Sequence, residues 1–507
     1  MDVISSLLNG LALALTPELL LAALAGAFLG TLVGVLPGIG PVAGAAIVLP
    51  ITFSFSPAAG LIMIAAIYLG AQYGGSTTSV LLNIPGDASA IVATFDGHKM
   101  AQKGRAGAAL SIMAVGSFVA ATIGLTIMIF SAQAVSDFAL NFGSTEFFAL
   151  TAGGLLVLAR ISGGSLGGGL FPMALGLGLA TVGNEASASY NRYTFGSLDL
   201  SIGFSLAAVA VGIFGISEIL YMLEDKSGVR KPLTVKIREL FPTREEWRRA
   251  VAPWLRGSVV GFFFGLLPIP SATMSTFASY RLEKTVSKNR KEIGEGAVEG
   301  IAGPEAANNA AAIGSMVPVL ILGLPFSATL AMMISAMVVQ GIQPGPLMMT
   351  LYPDVFWSVM AAMFVANFIL LVLNLPLIGV WIRLLMTPRY ILVPLVVVLG
   401  AIGSYSLNYN MIDVWTMFFM GLLGYGLRKL DLSLASFLIG FVLGPMIEKY
   451  FVQSIFIGLG DPMYFISTPI AAGMWLSVAV VIVGSLALNI RRAVTKQGPK
   501  VSFSSED

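Results

Sequence analysis

The sequence predicts an all-α polytopic membrane protein made of two inverted-topology repeats with re-entrant hairpins and broken helices. Three observations predict it. Of 507 residues, 56% are hydrophobic and only 11% charged, where a soluble domain carries about 25% charged residues. Apolar runs able to cross about 30 Å of hydrocarbon, which takes about 20 helical residues, recur along nearly the whole chain. A block of glycines and prolines near the N-terminus returns at the same internal spacing in the middle of the chain. No polar stretch between the apolar runs is long enough to fold as a domain in water.

Composition also excludes several function classes. A net charge of +2 gives no basis for nucleic-acid binding, and the absence of cysteine removes disulfides, thiolate metal sites and cysteine nucleophiles. The single histidine, His98, lies among Lys99, Lys103 and Arg105, so neither a two-histidine zinc site nor a serine–histidine relay has its parts. An intramembrane zinc protease needs His-Glu-x-x-His, which is absent, and the aspartyl type needs Gly-x-Gly-Asp, whereas Ile84-Pro85-Gly86-Asp87 lacks the first glycine. The chain is not read as an enzyme. Met1 to Leu15 is apolar but lacks the basic flank and cleavage site of a signal peptide, and it is expected to stay on the protein.

Loop charge assigns sides, because cytoplasmic loops are enriched in Lys and Arg. Basic segments at His98 to Arg105, Arg160, Lys226 to Arg256, Arg281 to Lys291, Arg383 to Arg389, Arg428 with Lys429, and Arg491 to Lys500 are placed inside. Loops around Asp137 to Glu146, Asn184 to Asp199 (Arg192 excepted), Gln343 to Asp354, Ser404 to Asn410, and Asp461 are placed outside. Crossings are expected near 106–130, 145–160, 163–182 and 201–223, then near 355–380, 390–404, 412–427, 432–447 and 466–490. The N-terminus, with Asp2 and Glu18 but no basic residue, is expected in the periplasm and the C-terminus in the cytoplasm. The organisation follows as a first repeat over 1–225, a cytoplasmic segment over 226–256, a second repeat over 257–450, an extra C-terminal transmembrane helix over 451–490 and a tail over 491–507. Within the middle segment, Thr243 and Glu246 have capping-box spacing. Trp247, Val251 and Trp254 share a helix face opposite Arg244, Arg248 and Arg249, so the segment is either an interfacial helix with an aromatic anchor or a solvated linker.

The repeat is read from spacing. Gly26, Gly30, Gly34, Leu36 and Pro37 return 231 residues later as Gly257, Gly261, Gly265, Leu267 and Pro268. Leu82, Pro85, Ala88 and Ser89 return 240 residues later as Leu322, Pro325, Ala328 and Thr329. The nine-residue difference fits the charged loop Lys284 to Glu295. Flanking charges are opposite, so one copy runs outside to inside and the other inside to outside. Such repeats place a ligand near mid-bilayer at their interface. The same glycines also suit plain helix packing, because small residues four apart let membrane helices approach closely.

Four helix breaks fall inside apolar sequence: Pro37-Gly38-Ile39-Gly40-Pro41, Pro268-Ile269-Pro270-Ser271-Ala272-Thr273, Asn83-Ile84-Pro85-Gly86-Asp87 and Gly323-Leu324-Pro325-Phe326-Ser327. Irregular backbone at membrane depth survives only against protein or a watery cavity. Free N–H groups at helix starts attract anions, so a carboxylate can be held without arginine. The candidate anion ligands are Pro37, Gly38, Gly40, Ser76, Thr77, Thr78, Ser271, Thr273, Asn308, Asn309, Pro325 and Ser327. Asn83, Gly86, Asp87 and Glu305 are the candidate cation ligands, since carboxylates inside a membrane are functional by default. For Ser76 to Thr78 the competing role is hydrogen bonding back to helix carbonyls.

At these residues the chain closely resembles the large membrane subunit of the tripartite tricarboxylate transporters. The resemblance rests on Gly34-Val35-Leu36-Pro37-Gly38-Ile39-Gly40-Pro41, Tyr73-Gly74-Gly75-Ser76, Asn83-Ile84-Pro85-Gly86, Asp96-Gly97-His98-Lys99-Met100-Ala101 and Gly303-Pro304-Glu305-Ala306-Ala307-Asn308-Asn309-Ala310. Pro268-Ile269-Pro270-Ser271 departs from the glycine-rich form. The resemblance implies sodium-coupled secondary uptake of a small carboxylate such as citrate, delivered by a periplasmic binding protein, with a small four-helix membrane subunit as companion in the inner membrane. A homodimer is compatible with it. An anion channel or a proton-coupled carrier is the alternative, but no ring of like charge repeats, and inverted halves favour a carrier. The clustering of breaks into two blocks predicts an elevator-like movement of those blocks against the remaining spans.

Overall fold

A computed structural model describes residues 3–36, 40–162, 166–184, 190–224, 237–384 and 389–494. Pro37, Gly38, residues 226–236 of the segment joining the halves and the tail from 495 lie outside the described residues. The protein is an all-α polytopic membrane protein. Among the described residues the extended pairing is limited to Gly183–Asn184 (β1) against Asn191–Arg192 (β2), antiparallel.

The first half carries helices α1 (Val3–Ala14), α2 (Pro17–Val35), α3 (Gly40–Thr52), α4 (Pro57–Leu82), α5 (Ala106–Ala139), α6 (Ser144–Ser162), α7 (Leu166–Ala180) and α8 (Leu206–Glu224). The second carries α9 (Arg244–Gly265), α10 (Ser271–Val286), α11 (Glu299–Leu322), α12 (Ala328–Val339), α13 (Pro353–Asn374), α14 (Ile378–Leu384), α15 (Arg389–Asn408), α16 (Met411–Lys429), α17 (Leu434–Ile457) and α18 (Pro469–Val494). Pro17, Pro57 and Pro353 open their helices, at a position where the missing N–H has no helical partner to lose. Among the described residues, seven helices are long and apolar enough to cross a membrane.

Each apolar run read as a crossing forms a helix, with two differences. The run near 355–380 is interrupted after Asn374 because Pro376 cannot continue α13. The charged segment expected to end at residue 256 instead continues into the second glycine block as one helix, α9, so that boundary falls in a helix interior. Its capping box forms: Thr243 Oγ1 accepts from Glu246 N at 3.2 Å, and Glu246 Oε2 accepts from Thr243 N at 2.6 Å. Trp254 is buried against Gly116 of α5 rather than placed at a lipid boundary, because Gly116 leaves room for its indole. Trp247 packs on Trp254 with ring centroids 5.8 Å apart.

The centre of the molecule is the pair α4 and α11. Every residue from Ala59 to Leu82 of α4 and from Glu299 to Gly314 of α11 is buried. Gly26, Gly30 and Gly34 set α2 against the α4 backbone at Met63, Ile67 and Ala71. Gly257, Gly261 and Gly265 set α9 against α11 at Gly303, Ala307 and Ala311. The two contact series are related by the same offsets that relate the sequence blocks. α3 folds back on α2, with Gly44 against Val33, and α10 runs along α11, with Gly303 against Ser279 and Glu283. Around this core lie α5 and α13. α7 crosses α17 at Gly176 and Gly440, while α8 crosses α16 at Gly212 and Gly421.

A side chain at Gly30 or Gly261 would collide with backbone of the facing helix, the nearest atoms including Ile67 Cα at 2.7 Å and Ala307 Cα at 2.7 Å. Overpacking of this kind costs about 1–3 kcal/mol or more. Gly30→Leu and Gly261→Leu should each lower the melting midpoint of the detergent-solubilised protein, and Gly473→Leu, whose Cβ meets nothing within 4 Å, should not. Equal behaviour of all three variants would contradict the close-approach role.

Candidate functional site

A helix buried on every side has neither lipid nor bulk water for its polar groups, so each needs a protein or ligand partner. α4 nonetheless carries Tyr68, Gln72, Tyr73 and the run Ser76 to Ser79, and α11 carries Glu305, Asn308 and Asn309, all buried. Glu305 is the hub. Its Oε2 accepts from Ser76 Oγ at 2.6 Å, and its Oε1 accepts from Ser117 Oγ of α5 at 2.9 Å and from Asn309 Nδ2 at 3.1 Å. Asn309 Nδ2 also lies 2.7 Å from Ser117 Oγ. A small cavity, with room for about one water molecule, is lined by Tyr73, Ser76, Thr77, Ser117, Glu305 and Asn374. Asn308 Oδ1 and Nδ2, Asn309 Oδ1 and Asn374 Oδ1 are buried without a hydrogen-bond partner.

The breaks are built alike in both halves. α4 ends on Asn83 at φ +57° and α11 runs through a π-helical turn to end on Gly323 at φ +74°, the left-handed conformation that closes a helix. Asp87 and Ser327 then occupy the N-cap positions of the next helical segments, Asp87 alone capping with its side chain. Both pairs are 240 residues apart, and α3 and α10 begin 231 residues apart at Gly40 and Ser271. Asp87 Oδ1 accepts from Ala90 N at 3.0 Å and Ser89 Oγ at 2.7 Å. Gly86 fits between Gly34 and Gly75, tying the Asn83 break to the end of α2, while Pro268 and Phe326 both face Gly154 of α6. Tyr68 stands between the halves: its hydroxyl is 3.4 Å from Ser315 Oγ, and it lies beside both Asp87 and Ser327.

Of the residues singled out in the sequence, Ser76, Asn309 and Glu305 therefore meet, and Thr77 lines their cavity. Thr78 donates back to Gly75 O at 2.8 Å. Asn308 is buried beside them with both amide atoms unpartnered. Ser271 opens α10, Thr273 follows in its first turn, Pro325 is buried in the second-half break, and Gly40, at φ +65°, opens α3. Asn83, Gly86 and Asp87 sit together in one break. Glu305 reaches that break only through a string of polar contacts: Ser76 Oγ also lies 3.4 Å from Gln72 O, and Gln72 Oε1 lies 3.0 Å from Ser89 Oγ. Among the described residues no group of three or more His, Cys, Asp or Glu side chains forms a metal cluster.

Sequence reasoning passed over Tyr68, Gln72, Ser89, Ser117, Asn367 and Asn374. Asn367 Oδ1 accepts from Tyr73 OH at 2.8 Å and its Nδ2 donates to Phe118 O at 3.0 Å. Asn374 Nδ2 donates to Leu370 O at 2.9 Å. The signal for Ser117 was a single polar residue inside an apolar run, between Met113 and Ala121.

A second buried carboxylate, Asp96, joins the halves elsewhere. It is fully buried and accepts from Gly296 N at 2.7 Å, Ala297 N at 2.8 Å, Gly294 N at 2.9 Å and Tyr280 OH at 3.1 Å. Gly294 and Gly296 reach this geometry at φ +105° and +90°, open to glycine at little steric cost. Burial and the Asp96 charge push the Tyr280 phenol well above its ordinary range, which keeps it a donor. Beside this contact Lys99 donates to Gly294 O, Arg105 pairs with Glu246, and Arg249 holds Glu299 and Glu292 at 2.7 Å. Burial opposes ionisation of Glu246, but the Arg105 and Thr243 hydrogen bonds outweigh it and hold its carboxyl below the usual range.

Residues 20–439 match the family described as the tripartite tricarboxylate transporter TctA family. An uncharacterised 52.8 kDa protein from the TAR-I ttuC' 3' region of Agrobacterium vitis is 44% identical over 491 residues, spanning 97% of this chain and 98% of its own. A second uncharacterised protein, from the TAR-II ttuC' 3' region of the same organism, is 42% identical over 231 residues, spanning 46% of this chain and 96% of its own. No solved structure matches.

Asp96→Asn would turn an amide N–H₂ or a weaker acceptor toward three backbone donors. Hydrogen bonds to a charged group are worth about 1.5–3 kcal/mol. Amide exchange across residues 289–299 should therefore accelerate by about 10- to 100-fold with exchange in α17 unchanged. Unaltered protection of that loop would show that Asp96 does not hold it.

Proposed function

The chain belongs to the tripartite tricarboxylate transporter TctA family, and from that premise we propose that it is the translocation subunit of a binding-protein-dependent secondary carrier. It imports tricarboxylates or related small carboxylates through the inner membrane, driven by a sodium gradient. A periplasmic binding protein delivers the substrate, and a small four-helix membrane subunit accompanies the chain. The family assignment supports transport by a multi-component system. The substrate class and the coupling ion extend that assignment in the way the sequence motifs imply.

The observation that carries a carrier rather than a fixed pore is the matched construction of the two break-containing blocks. Helix ends, caps and glycine contacts recur at offsets of 231 and 240, and the breaks of both halves approach Tyr68. This supports two homologous repeats, and the opposite flanking charge supports their inversion. Alternating access then follows if the blocks move together. The Asp96 cradle and its neighbouring ion pairs would hold them together, and α5, α13 and the outer helices would be the frame they move against.

No Lys or Arg occurs in the four breaks, so an anion must be held by neutral donors and helix starts. α3, α10 and α12 present N–H groups at Gly40, Ser271 and Ser327. Thr77 and the unpartnered amide of Asn308 supply side-chain donors. The cavity beside Glu305 is water-sized, so a tricarboxylate requires the surrounding elements to separate. Losing one hydrogen bond to a charged ligand costs about 1.5–3 kcal/mol, or roughly ten- to a hundredfold in affinity. Thr77→Val and Asn308→Leu should raise the half-saturating citrate concentration for uptake by that factor in membranes containing all three components, with protein abundance and small-subunit association unchanged. Unchanged apparent affinity in both variants would place the substrate elsewhere.

A further inference from the structure

Two of the outer helices, α8 and α15, touch at one point and part beyond it. A side chain at Gly400 of α15 would meet Val211 Cγ1 of α8 at 2.8 Å, whereas one at Gly215, a turn further along α8, would meet Val396 Cγ1 only at 3.8 Å. Over that turn α8 takes a π-helical course, Val211–Ile216, a bulge that recurs at functional sites. Beyond the contact lies a groove of about 280 Å³, open on one side and lined by Phe214, Gly215, Glu218 and Met222 of α8 and by Val393 and Val396 of α15. No polar atom faces the space. A buried water needs about two to four polar partners, so the groove stays dry. Its α15 wall continues outward into Leu395, Val398 and Leu399, all exposed, the kind of surface a membrane helix turns to lipid tails. An alkyl chain matches carbon on the walls and hydrocarbon on the open side.

Toward the ends of α8 and α16 the groove meets charge. Glu218, whose stem lines it, accepts from Arg428, and the Arg428 guanidinium lies 3.9 Å from the centre of the Tyr221 ring. Beside them Lys429 Nζ is 2.6 Å from Glu224 Oε2, which also accepts from Tyr425 OH at 2.9 Å. The Lys429 and Glu224 side chains are 43% and 51% exposed, so a headgroup can reach them. Arg428 and Lys429 against Glu218 and Glu224 leave the cluster neutral. A phosphate alone would make it negative, but a phosphate that brings its own ammonium would not. A guanidinium carries several N–H donors, and Arg428 spends one on Glu218, leaving others for a phosphate. A primary ammonium can donate to Glu224. A quaternary one has no N–H to give, and the Tyr221 and Tyr425 rings that could receive it already carry Arg428 and Lys429.

We propose that the groove between α8 and α15 binds one zwitterionic phospholipid with a primary ammonium, a phosphatidylethanolamine, its acyl chain against Gly215 and Val396, its phosphate at Arg428 and Lys429 and its ammonium at Glu224. The site lies on the outer helices, apart from the residues assigned to the carboxylate, and requires no movement of the blocks.

The test titrates the full chain, stripped of lipid in detergent, with phosphatidylethanolamine, phosphatidylcholine or phosphatidylglycerol of the same acyl chains, and counts bound lipid by native mass spectrometry. One phosphatidylethanolamine should be held about tenfold more tightly than either of the others, the difference that one hydrogen bond to a charged group makes. Gly215→Leu, whose side chain fills the floor of the groove, should hold all three equally weakly while remaining monodisperse. Glu224→Gln, at an exposed position, leaves the cluster positive by one and should invert the order in favour of phosphatidylglycerol, which contact with the tail alone would not do; this variant decides the question if the leucine variant does not fold. Equal retention of the three lipids by the wild type, or an unchanged preference for phosphatidylethanolamine in either folded variant, would overturn the proposal. Loss of the bound lipid on addition of the small membrane subunit would overturn it too, making the groove a seat for a protein helix.

Discussion

Two helices surrounded by protein on every side, α4 and α11, impose the constraint from which the rest of the structure follows. They reach that position because glycines four residues apart on α2 and α9 let backbone lie on backbone, at Met63, Ile67 and Ala71 in one half and at Gly303, Ala307 and Ala311 in the other. Once these helices are enclosed, every polar group they carry must find a partner inside the protein or wait for a ligand. Ser76, Asn309, Ser117 and Glu305 satisfy one another. Asn308 does not, and neither do the amide oxygens of Asn309 and Asn374. The mutual pairing of these polar groups is therefore a consequence of the close packing that the glycine contacts allow.

Much of the fold was legible because membrane helices write long apolar runs and because the glycine spacing recurs between the halves. The offsets of 231 and 240 read from a few glycines and prolines reappear in atomic contacts that use other residues, such as Ile67 with Ala307. α9 was harder to read. Arginines at 244, 248, 249 and 256 suggest a separate surface segment, but Arg249 and Arg256 are drawn inward by Glu299 and the fully buried Glu283, so one helix carries both the charged turns and the glycine face. Pro376 ended α13 early because a proline deep in an apolar run weighs more than the hydropathy around it.

The candidate site was half legible. Local composition revealed Ser76, Glu305 and Asn309, because polar clusters in apolar sequence are conspicuous. Ser117 and Tyr68 were hidden because each stands apart from the polar clusters, and only the fold brings Ser117 to Glu305 across 188 residues and Tyr68 to Ser315 across 247. Asp96 illustrates a third case. It belongs to a recognisable motif, but its role as acceptor for the Gly294 to Ala297 backbone depends on a loop in the other half, and backbone donors leave no trace in side-chain pattern.

The central claim is that both break-containing blocks travel as one body against a frame. Because the chain has no native cysteine, spin labels can be placed at will, and pulsed dipolar spectroscopy of labels at the exposed positions Lys103, Lys291 and Lys429 tests it most directly. The Lys103–Lys291 pair, inside the body, should give one distance whether or not citrate and sodium are present. The Lys103–Lys429 pair, from body to frame, should give two distances whose populations shift with them. A fixed body-to-frame distance, or two distances within the body, would contradict it.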